Sequence, residues 1–316
     1  MYYIGVDLGG TNIAAGIVDE DGRIIRKKSV PTNRERSSEE IVNDISKLIV
    51  DIMNEEGLTP QNLHSIGIGS PGIHDRENGV IIYNNNLNFK NVPVREEIQK
   101  KVPVPVYLEN DANCAAIAES VAGAAKGEDF AIIITIGTGI GGAIISDRKL
   151  YIGFNGAGGE LGHMVIQANG ESCTCGRKGC WEAYSSATAL IDQTKAAAEK
   201  NPGSKIYELV NGDLTKINAK TAFDAAKMGD KTGIEVVDNY ITYFAEGLAN
   251  IVNIFQPGVI VIGGGVSKEG EYLLKPLREK IRNITYSSHG LEEGKIVTAK
   301  MGNDAGIVGA AFISKA

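Results

Sequence analysis

The sequence predicts an α/β protein built around a repeated unit, and two observations carry that reading. β-rich runs alternate with segments of helical period along the whole chain. In addition, residues 6–19 (VDLGGTNIAAGIVD) and 134–147 (ITIGTGIGGAIISD) share one layout: a strand, a Gly/Thr turn, a second strand and an acidic turn residue. Two such hairpins fit a duplicated fold.

The elements follow in order. Tyr2–Asp7 is β-rich and ends in the turn residues Gly9, Gly10, Thr11 and Asn12; Ile13–Val18 resumes the β pattern, and Arg23–Val30 is a third strand after an acidic turn. Ile41, Ile45, Leu48, Ile49, Ile52 and Met53 recur at helical spacing, behind a capping box of Ser37 and Glu40 and ahead of Gly57. Ser65–Gly69 and Val104–Leu108 read as buried strands. The second leads through Glu109, Asn110 and Asp111 into an Ala-rich helix predicted to reach Ala125. Ala131–Ile136 opens the second hairpin. Long helices are predicted near Ala183–Glu199 and Gly233–Phe255, and Val259–Ile262 is a strand running into Gly263, Gly264 and Gly265.

Composition narrows the function. With 43% hydrophobic and 22% charged residues the chain is an ordinary globular protein of about two domains. A net charge of −7 opposes a nucleic-acid or anionic-membrane surface. No apolar run approaches the roughly 20 residues of a membrane span, and no basic-then-apolar leader opens the sequence. The expected compartment is the cytoplasm, where clustered cysteines serve metals more often than disulfides.

Glycines let backbone N–H groups close on phosphate oxygens, and a threonine hydroxyl adds a donor. The two turns therefore suit a nucleotide gripped from both sides. Residues 137–142 also match the dinucleotide pattern G-x-G-x-x-G, but that pattern needs a following helix, and Ala143–Ser146 continues as strand. Gly290–Lys295 has the wrong spacing for a Walker loop and no Ser or Thr after the lysine.

Three of the four cysteines, Cys173, Cys175 and Cys180, cluster ten residues after His163. Thiolates with an imidazole suit tetrahedral Zn²⁺, and four protein ligands make a structural rather than catalytic site. Cys114 stands apart as an expected core residue. Asp111 falls where a strand ends and a helix begins. A carboxylate there serves either as a general base or as the helix N-cap.

These residues carry a resemblance. Asp7 to Thr11, Ile136 to Gly139 and Val261 to Gly265 resemble the phosphate and adenosine motifs of the actin, sugar-kinase and heat-shock ATPase superfamily. Residues 108–113 (LENDAN), 159–163 (GELGH) and the segment from Cys173 to Glu182 closely resemble the ROK family of repressors and sugar kinases, essentially end to end. The resemblance implies two RNase-H-like α/β domains with an interdomain cleft: a small one over 1–118, on which a last helix within 302–316 packs back, and a larger one over 119–301 carrying the zinc site. It implies Asp111 as base, Asn110, Glu160, His163 and Glu182 as sugar ligands, and Gly72, Asn85 and Asn86 lining the sugar pocket. Gly9, Gly10, Thr11, Asn12, Gly137, Thr138, Gly139, Gly264 and Gly265 would hold ATP, with Asp7 on Mg²⁺ through water.

The repressor branch places a DNA-binding module before the first phosphate turn, and only six residues precede Asp7. The expected activity is therefore ATP-dependent phosphorylation of glucose to glucose 6-phosphate, by a homodimer or homotetramer. N-acetylmannosamine, N-acetylglucosamine, fructose or mannose are the alternative substrates, and a non-catalytic sugar sensor is the alternative of another class.

Overall fold

The first hairpin forms as its sequence dictates. β1 (Tyr2–Leu8) and β2 (Asn12–Val18) pair antiparallel and are buried along most of their length, and β3 (Ile24–Pro31) extends the meander as a largely exposed edge strand. α1 (Ser38–Glu55) starts at the predicted capping box, with Ser37 and Glu40 satisfying each other's backbone N–H groups. Its Ile41, Ile45, Leu48, Ile49 and Ile52 are buried in a core shared with β1 and β2. A computed structural model describes every residue of the chain except Asn85, Glu292 and Glu293.

β4 (Leu63–Ser70) runs parallel to β1. A small antiparallel sheet follows, made of β5 (Ile73–Asp75), β6 (Val80–Asn84) and β7 (Phe89–Val92). Then come α2 (Val94–Gln99), β8 (Val106–Asn110), parallel to β4, and α3 (Asp111–Val121). The main sheet has the order β3-β2-β1-β4-β8. α3 stops at Val121, short of the predicted Ala125. The buried Glu119 carboxylate takes the N–H of Ala124 at 2.7 Å and those of Lys300 and Met301 at 2.9 and 2.8 Å, which turns the chain out of the helix.

The second hairpin is β9 (Phe130–Ile136) with β10 (Ile140–Ser146); the end of β10 pairs antiparallel with β11 (Lys149–Tyr151). The predicted long helix from Ala183 is two: α4 (Glu182–Ser185) and α5 (Ala187–Lys200), split at the extended Ser186, whose hydroxyl caps α5 by accepting Ala189 N–H. α6 (Lys205–Leu209), α7 (Thr221–Lys227) and α8 (Lys231–Phe255) follow. β12 (Val259–Gly264) lies parallel to β9, and after α9 (Glu271–Ile284) β13 (Lys295–Thr298) lies parallel to β12. Trp181, Phe223, Tyr240 and Phe244 are fully buried among these helices.

By contacts the chain divides into two units. One holds Met1–Asp129, Ile144–Tyr151 and Lys300–Ala316; the other holds Phe130–Ala143 and Ile152–Ala299. An edge near residue 118 would cut through α3, and the first unit continues past that helix. α10 (Ala305–Ala311) lies directly on β1 and β4. The approach needs glycines: a Cβ on Gly5 would sit 1.8 Å from Ile307 O, and one on Gly67 1.7 Å from Ala310 O.

Candidate functional site

In the first unit the predicted residues meet at the C-terminal ends of parallel strands, the usual functional edge of such a sheet. Asp7 is the next-to-last residue of β1, and Ser70 at the end of β4 pairs with Asn110 at the end of β8. Asn110, not Asp111, is the N-cap of α3: its Oδ1 accepts Ala112 N–H at 2.8 Å. That frees Asp111, the first helical residue, from the capping role, although its own Oδ1 also accepts Ala112 N–H at 2.9 Å.

The Asp111 side chain reaches solvent while protein walls its carboxyl, and this partial loss of water lifts it above the usual aspartate range, against the pull of the Ala112 N–H. Burial lifts Asp7 as well, and the Asp111 charge adds to it. Two carboxyls whose ionisation is made costly, one of them by the other's charge, suit a cation and a proton acceptor.

At the end of β8 lies an ion pair whose carboxylate is buried and whose guanidinium is half-buried. Arg76 donates to both oxygens of Glu109, at 2.7 and 2.5 Å, and Asn113 Nδ2 and Asn110 N–H donate to Oε1 at 2.9 and 2.8 Å. Burial alone would raise the Glu109 carboxyl; these donors outweigh it and hold it below the usual range. The pair anchors the strand that presents Asn110 and Asp111. Sequence reasoning gave Glu109 no role, although a carboxylate in an apolar strand signals a buried partner. His74, pushed by burial down to about 4, is neutral at physiological pH and stands 2.9 Å from the Ser70 hydroxyl.

Gly72 turns the chain with φ of 110°, and a Cβ there would meet Tyr83 O at 2.2 Å. Asn84 Nδ2 donates to Pro71 O at 2.8 Å and its Oδ1 accepts Asn86 N–H at 2.9 Å, which places Asn86 beside Gly10. Asn85 lies outside the described residues. In the turn itself Gly9 N–H donates to Asn12 O at 3.0 Å, with Thr11 and Asn12 exposed.

The second unit assembles the other half of the prediction. Gly137 N–H donates to Gly139 O at 2.9 Å across the turn, and Gly137 and Thr138 are exposed. Gly264 lies so close to Ile136 that a Cβ would meet its carbonyl oxygen at 2.1 Å, and Gly265 N–H donates to the same oxygen at 3.2 Å. Glu182 is engaged in a way its sequence did not suggest. Its Oε2 accepts Ile140 N–H at 2.9 Å, and only a glycine at 139 leaves room for that oxygen. Glu160 is exposed at the head of a single 3₁₀ turn, Leu161–His163.

His163, Cys173, Cys175 and Cys180 present donor atoms within 4.8 Å of one another. Cys173 Sγ lies 3.6 Å from His163 Nδ1, and Cys175 Sγ lies 3.7 Å from Cys180 Sγ. Metal–sulfur bonds of about 2.3 Å in a tetrahedron set sulfurs roughly 3.8 Å apart, so the donor set and spacing fit a closed tetrahedral site. Burial and the sulfurs of Cys175 and Cys173 push the Cys180 thiol up to about 12, and a bound cation is what allows such a cluster to ionise together. Nδ1 of His163 faces the sulfur, which leaves Nε2 for another partner.

Comparison with known proteins shows the family. The family model described as the ROK family matches residues 3–316. The glucokinase of Thermotoga maritima is 39% identical over 99% of this chain and 96% of its own. Among solved structures, a ROK family glucokinase from Streptomyces griseus in complex with glucose and AMPPNP is 36% identical, with a TM-score of 0.78 over 98% of both chains. The ROK hexokinase of Thermus thermophilus is 34% identical, with a TM-score of 0.83 over 98% of this chain and 97% of that one. On a match that spans nearly its whole length, this chain belongs to the ROK family.

Proposed function

We propose that the chain is a glucokinase, transferring the terminal phosphoryl group of ATP to glucose to give glucose 6-phosphate. Likeness over nearly full length to the T. maritima glucokinase supports the substrate pair, as does likeness to the S. griseus enzyme solved with glucose and AMPPNP. The observation that carries the chemistry is Asp111: a carboxyl at the first residue of α3, where Asn110 is the N-cap, raised above the usual aspartate range by burial.

Phosphoryl transfer needs positioning and charge stabilisation more than covalent help. Asp111 takes the proton of the attacking sugar hydroxyl, and its raised affinity for protons suits a general base. The Asn110 amide NH₂, left over from capping, donates to a neighbouring hydroxyl. Glu160 and the free Nε2 of His163 serve other sugar hydroxyls, and Gly72 with Asn86 shapes the wall beside them. The amides of Gly9 to Asn12 and of Gly137 to Gly139 cradle phosphates, and Gly264 and Gly265 leave space for the adenosine. Mg²⁺, which neutralises charge on the transferring phosphates, would be held by Asp7 through water. His163, Cys173, Cys175 and Cys180 would hold one structural Zn²⁺. A homodimer or homotetramer in the cytoplasm completes the reading.

The test is a coupled assay with ATP and Mg²⁺ across glucose, mannose, fructose, N-acetylglucosamine and N-acetylmannosamine. Glucose is expected to lead the 2-acetamido sugars in kcat/KM by roughly ten- to a hundredfold, since an acetamido group at carbon 2 leaves a hydroxyl partner such as Glu160 unpaired. An acetamido sugar ahead of glucose would overturn the substrate; no turnover on any sugar would overturn the kinase.

A further inference from the structure

We infer that Thr32 and Thr188 are positioning residues for the two phosphate turns, Thr32 by itself and Thr188 together with Ala187 tying back the turn's carbonyl oxygens so that the amides are left to the nucleotide. The inference deepens the kinase reading and rests on it.

A turn that binds phosphate must present N–H groups and withdraw its carbonyl oxygens, which repel an anion. In the first unit the withdrawal is done by Thr32, fully buried just past β3. Its N–H donates to Thr11 O at 2.8 Å and its hydroxyl to Gly9 O at 2.7 Å. The second unit repeats the scheme from a different element. Ala187 N–H donates to Gly137 O at 2.9 Å, and the Thr188 hydroxyl donates to Thr138 O at 2.9 Å. Each turn thus receives one backbone and one threonine hydroxyl donor. One pair comes from a strand end and the other from a helix start, so the hairpin repeat does not account for the match.

The break at Ser186 makes the second clasp possible. The N–H groups of a helix's first turn have no partner within the helix. Splitting α4 from α5 creates such a start and points Ala187 N–H at Gly137. Meanwhile, among the described residues, the N–H groups of Gly10, Thr11, Thr138 and Gly139 meet no protein acceptor. Carbonyls held and amides open is the arrangement an anion requires.

The experiment compares Thr32→Val, Thr188→Val and the serine variants at both positions with wild type. Calorimetric titration with ADP and Mg²⁺ is paired with KM for ATP and for glucose. The valines should weaken nucleotide binding by about five- to thirtyfold, the size of one lost hydrogen bond next to a carbonyl left facing phosphate. The serines should stay within about threefold of wild type, and glucose KM within about twofold throughout. Unchanged ADP affinity in the valine variants would overturn the inference; so would a matching loss of glucose affinity that serine fails to rescue, which marks a merely structural role. Thr188 is exposed at a helix start, so its valine variant folds even if the buried Thr32→Val does not. A wild-type protein that binds ADP yet phosphorylates no sugar would sink the kinase reading and leave the clasp standing.

Discussion

Asp111 at the start of α3 and Asp7 near the end of β1 share one electrostatic environment: the Asp111 charge raises the Asp7 carboxyl on top of what burial does. The raised carboxyls mean that neither negative charge adds to stability. Both are held where ionising costs free energy, as expected of groups arranged for a cation and a proton.

Asp111→Asn should therefore separate activity from folding. It keeps the shape and the Ala112 contact but cannot accept a proton, so kcat should fall by roughly 10²–10⁴-fold. Glucose binding should persist, and the melting temperature should hold or rise. A kcat within about threefold of wild type would refute the base assignment.

The sign of the pH dependence follows from the same shift. A carboxyl raised in the folded state contributes stability that is fully present below its unfolded pKa of about 3.9 and is lost as pH rises through the folded value. The advantage in melting temperature of Asp7→Asn or Asp111→Asn over wild type should thus grow from pH 4 upward. In wild type the acidic limb of kcat should lie above the range of an ordinary aspartate. Melting curves and kcat across pH 4–8 check both, and a variant advantage that shrinks as pH rises would contradict the shift.

The cysteine cluster should hold one zinc per chain. Cys175→Ser should lose metal and stability together, because binding free energy at such a site is folding free energy. Activity should fall too: Glu182, two residues beyond Cys180, accepts Ile140 N–H directly after the turn at Gly137–Gly139. Elemental analysis of purified protein without zinc would exclude this, as would full activity after complete chelation.

Arg76→Ala should be costly in a way that Glu109→Gln is not. The first strands a buried carboxylate and should destabilise by about 3 kcal/mol in urea unfolding. The second keeps a neutral acceptor for Arg76 and Asn113 and should cost less. Equal losses would mean that the charge of the pair is immaterial.

Much of this was legible in the chain, and the exceptions have a common cause. The hairpins, α1 with its capping box, and the cysteine cluster are local patterns, each complete within a few tens of residues. What was not legible depends on partners far away in sequence. α3 stops because Glu119 is drawn to Lys300 and Met301. The helix from Ala183 breaks because the segment must meet Gly137 and Thr138. Glu109 found Arg76 through a fold the strand alone does not describe. The strands β5 to β7 escaped notice because their exposed faces blur the apolar alternation.

The helix α10 sets an order on biosynthesis. The sheet it covers precedes it by a long stretch of chain, so Gly5 and Gly67 stay bare until Ile307 and Ala310 have been made. A nascent chain with β1, β2 and β4 already formed would still show one apolar sheet face to the cell. That face stays open to chaperones and proteases until α10 has been made. Contacts of such long sequence separation also make closure of this unit slow relative to its local hairpins.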